Sequence, residues 1–147
     1  MYKHILLPSD GSRLSRKAVK QGLALAKSIG AKVTGFYANP GIPIEYLGVD
    51  APMPQSVYDA ESERERKFTD KVLAEIAEAA RRAGVPCDCV SVESRSAADA
   101  IVATAKKRRC DLIFMASHGR HGISAVLLGS ETTKVLTHSN IPVLVCR

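Results

Sequence analysis

Five short apolar runs, each bounded by turn residues and separated from the next by a helical pattern, constrain this chain more than any other feature. They centre on Ile5-Leu6-Leu7, on Val33 with Phe36-Tyr37, on 87–92, on Leu112-Ile113-Phe114-Met115 and on Ile141-Pro142-Val143-Leu144-Val145. A run of four to eight residues without polar alternation is the pattern of a strand covered on both faces. Strands that alternate with helices need right-handed crossovers, which build a parallel sheet with helices on both sides. The expected fold class is α/β: a single doubly wound five-stranded parallel sheet of Rossmann-like form. With no boundary, repeat or low-complexity tract visible, residues 1–147 are read as one domain.

The segments between the runs support this. Ser9-Asp10-Gly11-Ser12 is a turn with helix-capping chemistry, and a helix is expected from there to Ile29, with Ala18, Gly22, Leu25, Ala26 and Ile29 on one face and Gly30 as its stop. Asn39 to about Val57 holds four prolines and two glycines and reads as a long loop, either a lid or a surface insertion. A charged helix follows from Tyr58 to Ala83. Its inner stripe is Phe68, Val72, Ile76, Ala80 and Ala83, and Glu63–Lys67 and Glu78–Arg82 are i,i+4 pairs on its outside. Ser96-Ala97-Ala98-Asp99 opens a short helix as a capping box. A last helix is expected from Ser130 to Thr137 before the fifth strand, Ile141 to Val145.

Composition excludes several classes. No apolar run approaches the roughly 18 residues of a membrane span, so no membrane association is expected. The N-terminus lacks the apolar core and cleavage site of a signal peptide, and the expected compartment is the cytoplasm. The net charge of +6 permits contact with nucleic acid, yet there is no Trp and aromatics make up only 5% of the chain, so base-stacking platforms are absent and no nucleic-acid partner is expected. The basic run Lys106-Lys107-Arg108-Arg109 reads as a cationic helix C-terminus. Cys87, Cys89, Cys110 and Cys146 do not match zinc-ligand spacing and read as buried free thiols, although Cys87 and Cys89 would share one face of a strand.

Chemistry concentrates after the fourth run, in Ala116-Ser117-His118-Gly119-Arg120-His121-Gly122 and its continuation Gly129-Ser130-Glu131-Thr132. Glycines following a strand permit positive φ and let backbone N–H groups crowd together. The first turn of a helix adds free N–H groups and the positive end of a dipole. Such a stretch suits an anion, most often phosphate, with Arg120 and His121 as further donors; read blandly it is a flexible strand-to-helix connection. In a doubly wound sheet the ligand sits beyond the carboxyl ends of the strands where strand order reverses. Asp10, just past the first strand, shares that crevice if strands one and four are neighbours. Its carboxylate then faces either ribose hydroxyls and an adenine amine or the first helix as an N-cap.

At these residues the chain resembles the universal stress proteins. Their nucleotide-binding members carry Gly-x₂-Gly-x₉-Gly-Ser/Thr after strand four; here the same spacing runs from Ala116 through Gly119 to Gly129-Ser130, with Ala116 in place of the first glycine. Pro8-Ser9-Asp10-Gly11-Ser12 and the closing Asn140-Ile141-Pro142-Val143-Leu144-Val145 extend the resemblance over the whole chain. It implies strand order 3-2-1-4-5, the adenine nucleotide α-hydrolase-like variant of the fold, a homodimer through the fifth strand, and ATP across strands one and four, with Mg²⁺ or Mn²⁺ as its ion. By position Pro8, Ser9 and Asp10 would line the adenosine side, with Tyr37 near adenine and Met115 and Ala116 under the ribose and α-phosphate. Gly119, Gly129, Ser130 and Thr132 would hold phosphates, and His118, Arg120 and Gly122 complete the candidate nucleotide-binding set.

With what the resemblance implies, three functions remain open: a stress-response regulatory module that binds ATP, a stress-response dimer that binds no nucleotide, and a slow ATPase. The chain lacks a P-loop Gly-Lys-Ser/Thr. His118 or His121 as a base would need an orienting partner, which the spacing does not supply. The regulatory module is the favoured reading, with no catalytic or metal-ligating residues assigned.

Overall fold

The computed structural model describes residues 1–43, 53–120 and 128–147. The elements are β1 (His4–Pro8), α1 (Arg13–Ile29), β2 (Lys32–Asn39), α2 (Gln55–Ala83), β3 (Cys87–Glu93), α3 (Ala97–Lys107), β4 (Leu112–Ala116), α4 (Ser130–His138) and β5 (Val143–Cys146). The strands form one sheet in the order β3-β2-β1-β4-β5, and each pairing in it is parallel.

Every residue of β1 and β4 is buried, as uninterrupted apolar runs require of central strands. Alternation then divides the core. Ile5, Leu7, Val33 and Phe114 pack under α1 and α2, whereas Leu6, Phe36, Ile113 and Met115 pack under α3 and α4. In α1 the Ser12 hydroxyl caps the amide of Ser15 at 3.2 Å, and Gly30 ends the helix at φ 69°. The capping residue is therefore Ser12, which leaves the Asp10 carboxylate for other work. Helix α2 buries Thr69, Val72, Ile76 and Ala80 and stops at Gly84, φ 69°. Its expected ion pairs are present, Glu78–Arg82 at 2.8 Å and Glu63–Lys67 at 3.7 Å; both lie in solvent, where such pairs contribute little.

The starts of two elements differ most from the sequence expectation. Helix α2 begins at Gln55, three residues early, because Pro54 at the N-cap supplies a fixed φ and its carbonyl accepts from Val57 and Tyr58. The long loop is shortened accordingly, and its central part, 44–52, lies outside the described residues. Strand β5 starts at Val143, since Pro142 has no N–H to give the ladder and the Ile141 amide is bound by the Ser139 hydroxyl at 3.0 Å. All four cysteines are free, yet Cys110 alone is buried; Cys87 and Cys89 are half-buried because β3 is an edge strand, and Cys146 because β5 is the other.

Gly22 marks the closest approach of α1 to the sheet. A Cβ there would overlap Leu7 Cδ2 and lie 3.3 Å from the Phe114 ring. Leu7 is fully buried and cannot swing away. Gly22→Val should therefore lower stability by about 2–3 kcal/mol through overpacking, measured as a drop in the urea midpoint at unchanged m.

Candidate functional site

Parallel pairing of β1 with both β2 and β4 makes β1 the point at which strand order reverses. Beyond its carboxyl end lies a cleft of about 610 Å³. One end is apolar. Phe36, Ala38 and Met115 present their α3-facing side chains there, closed by Pro8 and by Ile101 of α3. The other end is polar and is built from the turn after β1, the segment after β4 and the start of α4.

The N-terminus of α4 opens into this polar end. Its N-cap is Gly129, which has no side chain, and among the described residues no side chain caps the helix. The amides of Ser130, Glu131 and Thr132 thus form the uncapped first turn at the positive end of the helix dipole. Two bonds hold that turn against β4: the Gly129 amide donates to Ser117 O at 2.8 Å and Thr132 Oγ1 donates to Ala116 O at 3.1 Å. What Thr132 offers the cleft is accordingly its backbone N–H. The Glu131 carboxylate turns aside, accepting from the Ala98 amide at 2.7 Å and pairing with Lys134 at 3.0 Å, so α4 also caps α3.

The glycines act through a missing side chain and not through positive φ, which corrects the sequence expectation for Gly119 and Gly129. Neither is among the glycines at positive φ, and Gly129 has φ −62°. A Cβ on Gly119 would lie 2.7 Å from Asp10 Oδ2, and one on Gly129 would lie 3.3 Å from Ser117 O. Gly11 does adopt φ 78°, which tightens the turn after β1 where Phe68 and Val72 of α2 press against it. Gly122 and His121 lie outside the described residues.

Asp10 ties the two halves of the polar end together. Its Oδ1 accepts from the Ser12 amide at 3.0 Å and its Oδ2 from the Arg120 amide at 2.6 Å. Burial alone would push this carboxyl up; hydrogen bonds from Ser12, Ser15 and Arg120 outweigh it and hold the group below the usual carboxylate range. Ser9 lies beneath, its amide bound to Phe36 O and its hydroxyl 3.0 Å from that of Ser15. Above it the Arg120 guanidinium rests 4.5 Å over the Phe68 ring. His118 Nδ1 meets the Ser117 hydroxyl at 2.9 Å, and its buried Nε2 has no partner among the described residues.

Tyr37 lines the cleft too, but its ring is turned away from the side chains of its neighbours. Its ring packs edge-on to Phe68, 5.6 Å between centroids, in the α2-side layer, whereas Phe36 and Ala38 face the apolar end of the cleft. Burial, with the charge of Glu65, pushes its hydroxyl up to about 12. Ala116 is 7% exposed, lies at the end of β4 outside the positive-φ region, and packs its methyl in the α1-side core. Ser94 and Arg95, which follow β3 on the cleft rim, were not singled out by the sequence. The carboxyl-end rule applied to β3 as well as to β1 and β4 would have found them.

The comparisons decide the family. A family model described as "Universal stress protein family" matches residues 1–147. The chain belongs to the universal stress protein family. A universal stress protein of Methanocaldococcus jannaschii is 31% identical over 147 residues, which span 100% of this chain and 83% of that protein. The solved structure of another universal stress protein from the same organism superposes with a TM-score of 0.75 at 28% identity, covering 99% of this chain and 95% of that one. A universal stress protein crystallised in complex with cAMP shares the fold at TM-score 0.72 and 24% identity, over 99% of this chain and 97% of the other.

The Asp10 tether has a pH signature. A carboxyl held low in the folded state stabilises the protein above the ordinary carboxylate pKa, near 3.9, and that contribution disappears as pH falls below about 4. Asp10→Asn should cost about 1–2 kcal/mol at pH 7 and progressively less on acidification. Urea midpoints of both proteins at pH 7 and at about pH 2, below the ordinary carboxylate range, measure the gap; an equal gap at both values would mean that the charge on Asp10 is not what matters.

Proposed function

We propose that this universal stress protein is a regulatory module that binds an adenine nucleotide in the cleft between β1 and β4, with ATP as its physiological ligand. The observation that carries the reading is the polarity of the cleft: an apolar slot at one end and an uncapped helix N-terminus at the other. A flat heterocycle buries its faces between Phe36, Met115 and Ile101. Phosphate oxygens accept from the first-turn amides of α4 and from the segment at Gly119 and Arg120. Ser9 and Asp10, between the two ends, face the sugar. The adenine nucleotide carried by the cAMP-bound relative is consistent in chemistry with this division.

Among the described residues no three His, Cys, Asp or Glu side chains converge to hold a metal ion. Mg²⁺ or Mn²⁺, on this reading, arrives with the triphosphate and takes its ligands chiefly from phosphate oxygens. The arrangement is one of binding, so a nucleotide-dependent change of partner in the cytoplasm under stress is the proposed role. Hydrolysis would appear as phosphate release over hours. The module is proposed to act as a homodimer through β5, an edge strand whose Leu144 is 39% exposed.

Nucleotide released on denaturing the purified protein, followed by calorimetric titration with MgATP, tests the reading directly. Gly129→Val should weaken MgATP at least tenfold, about 1.4 kcal/mol, because the side chain meets Ser117 O and displaces the α4 amides. Ala116→Gly should change affinity by less than about tenfold and lower the thermal midpoint, since glycine frees the unfolded chain and removes a packed methyl. A wild type that binds no adenine nucleotide while Ala116→Gly does would overturn the assignment of Ala116 as a tolerated replacement. For the dimer, Leu144→Glu should give a monomer in sedimentation velocity with the fold unchanged by circular dichroism.

A further inference from the structure

Cys87 and Cys89 stand apart from the nucleotide cleft, at the amino end of edge strand β3. Being two apart on a strand, they project from the same face, and their sulfurs lie 3.9 Å from one another. That face looks into the apolar layer beneath α2, and both residues are half-buried, so the pair is reachable from solvent. Space for it is kept by Gly35 on β2, where a Cβ would come within 3.0 Å of Cys89 Sγ and 2.6 Å of Ile76 Cγ2.

Two thiols so close invite two readings, a disulfide or a shared metal ion, and the pleat separates them. Residues two apart on a strand are spaced by about 6.6 Å, and side chains on the same face keep roughly that spacing at Cβ. A disulfide needs its Cβ atoms about 3.5–4.5 Å apart, so closing one would break β3 out of the sheet. A metal ion between the sulfurs makes no such demand. With metal–thiolate bonds of about 2.3 Å a linear bridge sets the sulfurs about 4.6 Å apart, reached from 3.9 Å by a small rotation of each side chain.

The donor count then selects the ion. No third His, Cys, Asp or Glu joins the pair among the described residues, so a tetrahedral zinc site is left half-built. Calcium and magnesium want six or more oxygens. An ion satisfied by two thiolates in an apolar setting is a soft, monovalent d¹⁰ ion, and thiolate donors favour copper(I) among the biological metals. We propose that Cys87 and Cys89 form a two-coordinate thiolate site for copper(I), independent of the nucleotide cleft. Binding replaces the thiol protons, so affinity rises with pH.

The test is an anaerobic titration of the reduced full-length chain with copper(I) against the chromophoric chelator bicinchoninate. One copper per chain should be withdrawn from the chelator by the wild type and by Cys110→Ser and Cys146→Ser. Changes outside the ligand set alone cost about 10–100-fold, so Cys87→Ser and Cys89→Ser should each weaken copper(I) by more than about 100-fold. X-ray absorption of the wild-type complex should show two sulfur neighbours, a readout that does not depend on any variant folding. The proposal fails if the Cys87→Ser/Cys89→Ser double variant holds copper as well as wild type, or if one copper serves two chains. It fails equally if the absorption spectrum shows three or four sulfurs, or if a hydroperoxide converts the pair to a disulfide, seen as a two-dalton loss, with the sheet intact.

Discussion

The β1–β4 seam carries the architecture, and carboxylates clasp it at both ends. At the amino end Asp111, just before β4, accepts from the amides of Lys3 and His4 at 2.8 and 2.9 Å. At the carboxyl end Asp10, just past β1, accepts from the Arg120 amide in the segment after β4. Between them the register sets Ile5 beside Leu112 and Leu6 beside Ile113. The two strands are distant in sequence, so their pairing is long-range and its loop-closure cost is met by burial of two wholly apolar strands. The cleft exists because this seam is also where the winding of the sheet reverses.

Much of this was legible in the residues. Uninterrupted apolar runs identified central strands, and the resemblance to universal stress proteins supplied an order that the backbone adopts strand for strand. Gly30 and Gly84 stop their helices as their positions imply, both at φ 69°. Most of what escaped depends on a neighbour distant in sequence. Gly119 and Gly129 look like conformational glycines in a string of letters; they are steric glycines because Asp10 and Ser117 press on them from other elements. Ser12 takes the helix cap, and the Asp10 carboxylate binds the Arg120 amide, 110 residues along the chain. The late start of β5 turned on an exchange of partners local to Ser139, Ile141 and Pro142, which a hydrophobic run cannot reveal.

The polar end of the cleft combines an anion-seeking helix terminus with a fixed anion of its own. Asp10 and the α4 amides are complementary in charge, yet they do not pair; the carboxylate is satisfied by Ser12 and Arg120 instead. The first turn of α4 therefore keeps its donors for a ligand. Arg120 shows the same economy. Its backbone is fixed by Asp10 while its guanidinium stacks on Phe68, so the charge is held close to the cleft on an aromatic surface.

Glu131 gives the two outer helices a common fate. Its backbone belongs to the first turn of α4, and its carboxylate supplies the missing cap for the Ala98 amide of α3. Neither helix can fray at its N-terminus without the other losing a partner, so in amide hydrogen exchange the pair should open as one cooperative unit. A ligand held at the start of α4 would by this contact also protect the first turn of α3. Exchange at the α3 N-terminus, read over minutes to hours, would then respond to a cleft that most of the helix never touches.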